Sequence, residues 1–193
     1  MNPAQSEKAL ATEEAHQVAA ALSGDGRAFA ALVAPHLDRA FRVAARATGS
    51  ATLAEDVVQE ALVVLHRDLH RYQPGTSLRA FLLGITLRAA VTQRRSERRR
   101  TARELATHLD DPFVSPQQAV EAHELAERLQ VALDALPARR REAALLRFDG
   151  GLDHADIAAA LGTTEQAARQ LVYEATKALR AALGPQAGMS HVH

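Results

Sequence analysis

The sequence predicts an all-α chain of two small helical domains joined by a flexible linker. Three observations lead there. Apolar residues recur at spacings of three and four along most of the chain, whereas Val and Ile are too scattered to support a sheet. Around residues 101–115 that periodicity fails and prolines and acids take over. The length, 193 residues, suits one domain or two small ones.

Residues 1–22 are an N-terminal extension, and a first domain occupies residues 23–100. Its opening helix places Phe29, Leu32, Val33, Leu37, Ala40, Val43, Ala44 and Ala47 on one side. Pro35 should kink or split it, and Gly49-Ser50 ends it. A second helix, from about residue 53 to 69, carries Leu53, Val57, Ala61, Leu62 and Leu65 on one face, with Glu55, Asp56, Gln59 and Glu60 largely off it. Tyr72-Gln73-Pro74-Gly75-Thr76 reads as a turn, because proline presets one backbone angle and glycine supplies the left-handed one. Ser77 is placed to cap a third helix whose apolar line is Leu78, Phe81, Leu82, Ile85 and Ala89.

Residues 101–115 form the linker. In the second domain, residues 116–184, Ser115 and Gln118 fit a capping box with Pro116 at the first helical position. The helix that follows carries Val120, Leu125, Leu129, Ala132, Leu133 and Leu136. Another contributes Ala143, Ala144, Leu145, Leu146 and Phe148 before Gly150-Gly151 stops it. Asp153 then caps a short helix with Ile157, Ala158 and Leu161, Gly162 makes a turn, and Thr163 or Thr164 caps a longer helix with Ala168, Leu171, Val172, Ala175 and Leu179 inward. Short helix, glycine-bearing turn and second helix form the helix-turn-helix pattern. A tail, residues 185–193, is expected to fray.

Composition narrows the function. With no cysteine, disulfide frameworks, thiolate zinc sites and cysteine nucleophiles are excluded. The first residues are acidic and lack a signal-like apolar run, and no stretch approaches about 18 uncharged apolar residues, so a cytoplasmic protein without membrane insertion is expected. Net charge is zero, yet residues 79–103 hold eight arginines and one acid, a local +7. Residues 104–136 reverse the sign, with seven acids against Arg128, a local −6. Six arginines within residues 94–103 suit counterion release from a phosphate backbone. His66 and His70 would share a helix face, but Arg67 follows the first histidine where a zincin needs Glu, so no metal site is assigned. No phosphate loop, nucleophile triad or carboxylate pair is visible; neither enzyme activity nor a cofactor is expected.

Taken in order, several strings resemble the extracytoplasmic-function (ECF, group IV) sigma factors, two-domain initiation subunits of bacterial RNA polymerase. Gly24-Asp25 with Ala28-Phe29 and Leu32 is similar to the family's opening helix, and Ala54-Glu55-Asp56-Val57-Val58-Gln59-Glu60 to its most recognisable string. Leu78-Arg79-Ala80-Phe81-Leu82 with Ile85 resembles the segment after it. Ala135-Leu136-Pro137, Arg141-Glu142, Leu145-Leu146-Arg147-Phe148, Gly151-Leu152, Ile157-Ala158 and Leu161-Gly162 resemble the second domain. The resemblance runs over residues 23–183.

That resemblance implies that Glu55, Asp56, Gln59 and Glu60 dock on the clamp helices of the polymerase beta-prime subunit, where charge complementarity would fix register. It places residues 72–95 at the minus-ten element, where an unstacked base is captured, and the second helix of the helix-turn-helix at the minus-thirty-five element. Candidate DNA-binding residues are Arg79, Arg88, Arg94, Arg95, Arg98 and Arg99 in the first domain, and Gln166, Arg169, Gln170, Tyr173 and Lys177 in the second. The implied partners are core RNA polymerase, promoter DNA and an anti-sigma protein. The chain departs from the family at Phe81, where a Trp is usual, at Arg88, where an Asn is common, and in a recognition helix of low basic content. Two other readings remain beside it: a sigma-like decoy that titrates an anti-sigma protein, and a stand-alone helix-turn-helix repressor.

Overall fold

The computed structural model describes residues 3–73, 76–104 and 117–184, and among these every regular element is helical. Helix α1 spans Pro3–Leu22 and α2 spans Gly26–Val33. Asp25 caps α2, its carboxylate accepting from the backbone nitrogens of Arg27 at 2.8 Å and Ala28 at 3.2 Å. Pro35 does split the next stretch: a single 3-10 turn, Ala34–His36, separates α2 from α3, Leu37–Thr48. Gly49 ends α3 in the left-handed conformation at φ 79°, and Ser50 caps α4, Ala51–Asp68, by accepting from the Leu53 nitrogen at 3.3 Å. Ser77 caps α5, Leu78–Glu104, through the Ala80 nitrogen at 3.1 Å. Helix α5 therefore runs through the arginine cluster and into the start of the segment read as linker.

The first domain is the mutual packing of α3, α4 and α5. Its contacts use small side chains, Ala40, Ala44, Ala54, Ala61 and Ala90, all fully buried, which lets helix axes approach closely. Helix α1 packs across α2, with Val18 and Ala21 buried.

The second domain comprises α6 (Gln117–Ala135), α7 (Ala138–Phe148), α8 (His154–Leu161) and α9 (Glu165–Leu183). Asp153 caps α8 by accepting from the Asp156 nitrogen at 2.8 Å, Gly162 turns the chain at φ 63°, and Thr164 rather than Thr163 caps α9. Leu146, Leu152, Ile157 and Leu179 fill the centre; burying each is worth about 1.5–3 kcal/mol against leaving it exposed. Two residues expected inward lie outward: Leu125 is 48% and Phe148 47% exposed. The proposed capping residues Ser115 and Pro116, most of the linker and the tail lie outside the described residues.

The two domains share one continuous apolar core. Helix α5 is the reason. Residues 82–87 are buried on every side, because α3 and α4 cover one flank and α8 the other. A helix stretch that is apolar all round is a fully buried one.

Candidate nucleic-acid and partner interfaces

The strongest sequence string maps onto α4. Ala54, Val57, Val58 and Ala61 point into the bundle, which leaves Glu55, Asp56, Gln59 and Glu60 on solvent. Val63, 69% exposed, continues that ridge one turn further on. Capping by Ser50 directly after Gly49 sets where α4 begins, and so which residues face out. At the other end His66 turns back onto Phe29, ring edge to ring face with centroids 5.0 Å apart.

The arginines expected at the minus-ten side do not behave alike. Arg95 and Arg99 are exposed, and the Arg98 side chain lies outside the described residues. Arg79 reaches the Asp156 carboxylate of α8 at 3.6 Å. Arg88 donates to the Ala160 carbonyl oxygen at 3.4 Å. Arg94 donates to Asp134 of α6 at 2.5 Å and to the Ala47 carbonyl at 3.3 Å. Partial burial pushes the Asp134 carboxyl up, but the hydrogen bond and charge of Arg94 outweigh it and hold the group below its usual range.

Tyr72 opens the turn that precedes α5. Its hydroxyl donates to the Glu14 carboxylate of α1 and lies 2.7 Å from the Thr76 carbonyl oxygen. Burial, then the neighbouring Glu14, pushes the phenol well above its ordinary value. Tyr72, Thr76, Ser77, Phe81 and Arg88 line an open cavity of 290 Å³ beside this turn, with Ala159 and Ala160 of α8 on its wall.

The second candidate surface is the outer face of α9. Gln166, Arg169, Gln170, Tyr173 and Lys177 are all exposed. Two of them are held along the helix: Arg169 donates to Glu165 at 2.7 Å, and Gln170 to Glu174 at 2.9 Å. Glu174 is also 3.9 Å from Arg140 of α7. Among the described residues no group of three His, Asp or Glu side chains is disposed to hold a metal.

The pairings of Asp134 with Arg94, of Asp156 with Arg79 and of Asp149 with Arg46 went unread in the sequence. Asp149 follows α7 and lies 3.9 Å from Arg46, while Arg42 donates to its backbone carbonyl at 3.5 Å. The opposed local charges of residues 79–103 and 104–136 hinted at the Arg94–Asp134 pair alone.

Comparison with known proteins fits these positions. The Sigma-70 region 2 family model matches residues 32–100, and the Sigma-70 region 4 model matches residues 126–179. The ECF RNA polymerase sigma factor EcfG of Rhodopseudomonas palustris is 31% identical over 145 residues, covering 75% of this chain and 78% of the relative. The chain belongs to the ECF sigma factor family. SigE of Mycolicibacterium smegmatis is 33% identical over 154 residues, which is 77% of this chain but 59% of SigE. SigJ of Mycobacterium tuberculosis is 36% identical over 72% of this chain and 46% of its own length. The chain thus spans about half to three fifths of these two longer relatives. Among solved structures, CnrH in complex with the cytosolic domain of CnrY superposes with a TM-score of 0.68 at 26% identity, covering 89% of this chain and 97% of that one. In family terms, α3, α4 and most of α5 lie within region 2, and α7, α8 and most of α9 within region 4, while α1 precedes both matches.

Proposed function

We propose that this ECF sigma factor binds core RNA polymerase through the α4 ridge of Glu55, Asp56, Gln59 and Glu60 and directs it to promoter DNA. The observation that carries the reading is that all four polar side chains face solvent while their helix is anchored by a fully buried apolar face. A fixed acidic ridge has the charge pattern that steers a basic helical partner into one register. Arg79, Arg88, Arg94, Arg95, Arg98 and Arg99 are its minus-ten-side cations, and Gln166, Arg169, Gln170, Tyr173 and Lys177 its minus-thirty-five face. On this reading the working units are residues 23–100 and 116–184, with 101–115 between them and 1–22 and 185–193 as extension and tail. The chain catalyses nothing itself, needs no cofactor, and acts in the cytoplasm.

An anti-sigma protein is the natural regulator of such a chain. CnrH was solved with the cytosolic domain of CnrY, and a further fold neighbour, RpoE of Bartonella quintana, with the anti-sigma factor NepR. A second reading, a decoy that occupies an anti-sigma protein without reading promoters, is favoured by the α9 face, where Glu165 and Glu174 hold Arg169 and Gln170. Reconstituted transcription separates the two. With core polymerase and genomic fragments, the sigma reading requires promoter-dependent transcripts that vanish with a Glu55→Lys, Glu60→Lys variant; capture of an anti-sigma protein with no transcript on any fragment would establish the decoy.

A further inference from the structure

We infer that Glu14 of α1 is a positioning residue for base capture: through the Tyr72 hydroxyl it fixes one aromatic wall of the cavity beside the turn that precedes α5. The inference rests on the reading of residues 72–95 as the minus-ten side. It starts from helical spacing. Val18 and Ala21, four and seven residues after Glu14, form the buried side of α1, which places Glu14 on the same face. Glu14 is accordingly half-buried, whereas the adjacent Glu13 is exposed and bonds only along its own helix, accepting from Gln17 at 3.2 Å. Helix α1 packs against the 3-10 turn Leu69–Arg71 just before Tyr72, a residue only 6% exposed, and so brings the Glu14 carboxylate onto the phenol. Helix α1 lies ahead of residues 32–100, so this support comes from outside the segment that the region 2 model matches.

The other contacts of Tyr72 say what this support does. Its backbone nitrogen donates to the Leu69 carbonyl at 3.0 Å and its hydroxyl oxygen lies 2.7 Å from the Thr76 carbonyl, so one residue spans the turn from end to end. Thr76 is tied in turn to the Gln73 carbonyl, which accepts from its nitrogen at 3.1 Å and its hydroxyl at 2.7 Å. The Tyr72 ring stands 6.0 Å from the Phe81 ring at 32°, and together they give the 290 Å³ cavity an aromatic wall. Any base can stack on such a ring, so the position of the ring decides how an unstacked base enters. A phenol has one proton, and here two acceptors compete for it. The charged one makes the stronger bond. Glu14 thereby holds the hydroxyl on the α1 side; without it the proton passes to Thr76 and the ring is free to follow.

The test uses the full chain bound to core polymerase. A library of single strands randomised over about 20 nucleotides is enriched on this holoenzyme, and the selected strand, made fluorescent, is titrated against each variant. Glu14→Ala is expected to weaken binding about fivefold, the usual worth of one hydrogen bond, and Tyr72→Phe likewise. Glu14→Gln removes the same charge but keeps an acceptor oxygen at the same reach, so it is expected to stay within about twofold of the unaltered chain. The Glu14→Ala, Tyr72→Phe double variant is expected to lose no more than Tyr72→Phe alone, because Glu14 acts only through the hydroxyl. A general loosening of α1 would not give that pattern. Unchanged binding by Glu14→Ala, equal losses in Glu14→Gln and Glu14→Ala, or additive losses in the double variant overturns the inference; additivity would assign Glu14 to another neighbour such as His36, which also feels its charge. In each of those cases, weakened binding by Phe81→Ala leaves the minus-ten reading standing. No strand enriched beyond core polymerase alone, or full binding by Phe81→Ala, overturns that reading and the inference with it.

Discussion

Arg94, at the start of the arginine-rich end of α5, holds Asp134 of α6 at 2.5 Å and so ties the most basic helix of the chain to the following acidic segment. Gln130 donates to the other Asp134 oxygen at 3.2 Å, and Arg141 stands 3.7 Å away. Because these partners hold the Asp134 carboxyl below its unfolded value, its contribution to stability is present above that value, near pH 3.9, and is lost as pH falls through the folded pKa. Asp134→Asn should therefore melt lower than the unaltered chain at neutral pH, and the gap should close in acid. Melting curves at pH 7 and at about pH 3 read this directly; an equal gap at both would refute it.

Asp149 should show the opposite sign. Burial pushes its carboxyl up, against the pull of Arg46 and Arg42. A raised folded pKa means stability that is present below the unfolded value and lost as pH rises through the folded one. Asp149→Asn is therefore expected to raise the melting temperature at neutral pH and to have little effect in acid, in the same pair of measurements.

On the proposed reading the α4 ridge carries partner affinity without structural duty. Reversing charge at Glu55 and Glu60 should change unfolding free energy by no more than about 0.5 kcal/mol, since both are exposed. Affinity for core polymerase should fall by about tenfold or more, which is about 1.4 kcal/mol, chiefly through slower association at low salt. A large drop in stability, or unchanged affinity, would remove the ridge as the docking surface.

Releasing a held arginine should improve the α9 face. Glu165→Gln removes the partner of Arg169, at a cost of a few tenths of a kcal/mol because an acid in the first turn favours the helix dipole. Duplex DNA binding by the full chain should tighten severalfold, with a salt slope steeper by about one phosphate contact. Unchanged affinity and slope would mean Arg169 does not reach the backbone.

Much of the fold was legible. Capping by Ser77, Asp153 and Thr164, the break at Pro35 and the turns at Gly49 and Gly162 are local chemistry, decided within four residues of each position, whereas the caps Asp25 and Ser50, equally local, were not read. The outward α4 carboxylates were legible for the same reason: helical periodicity places them opposite Val57 and Ala61. Helix α1 was not, because its alanine-rich stretch carries few large apolar residues, and only packing of Val18 and Ala21 orders the readable face. Leu125 and Phe148 misled because an apolar residue at a helix margin faces whichever way its neighbours leave open.

The run Leu82-Leu83-Gly84-Ile85-Thr86-Leu87 held a signal that a single apolar stripe could not express: a helix apolar on every side must be covered on every side. From sequence alone came most of the helices after residue 23, the caps at Ser77, Asp153 and Thr164, the family resemblance and the separation of charge, all properties of near neighbours along the chain. Tertiary structure alone decided that α8 would cover the second flank of α5 and that Arg79, Arg88 and Arg94 would meet acids and carbonyls of the other domain. Contacts between residues 40 to 79 positions apart depend on how two surfaces fit, and no local pattern encodes that.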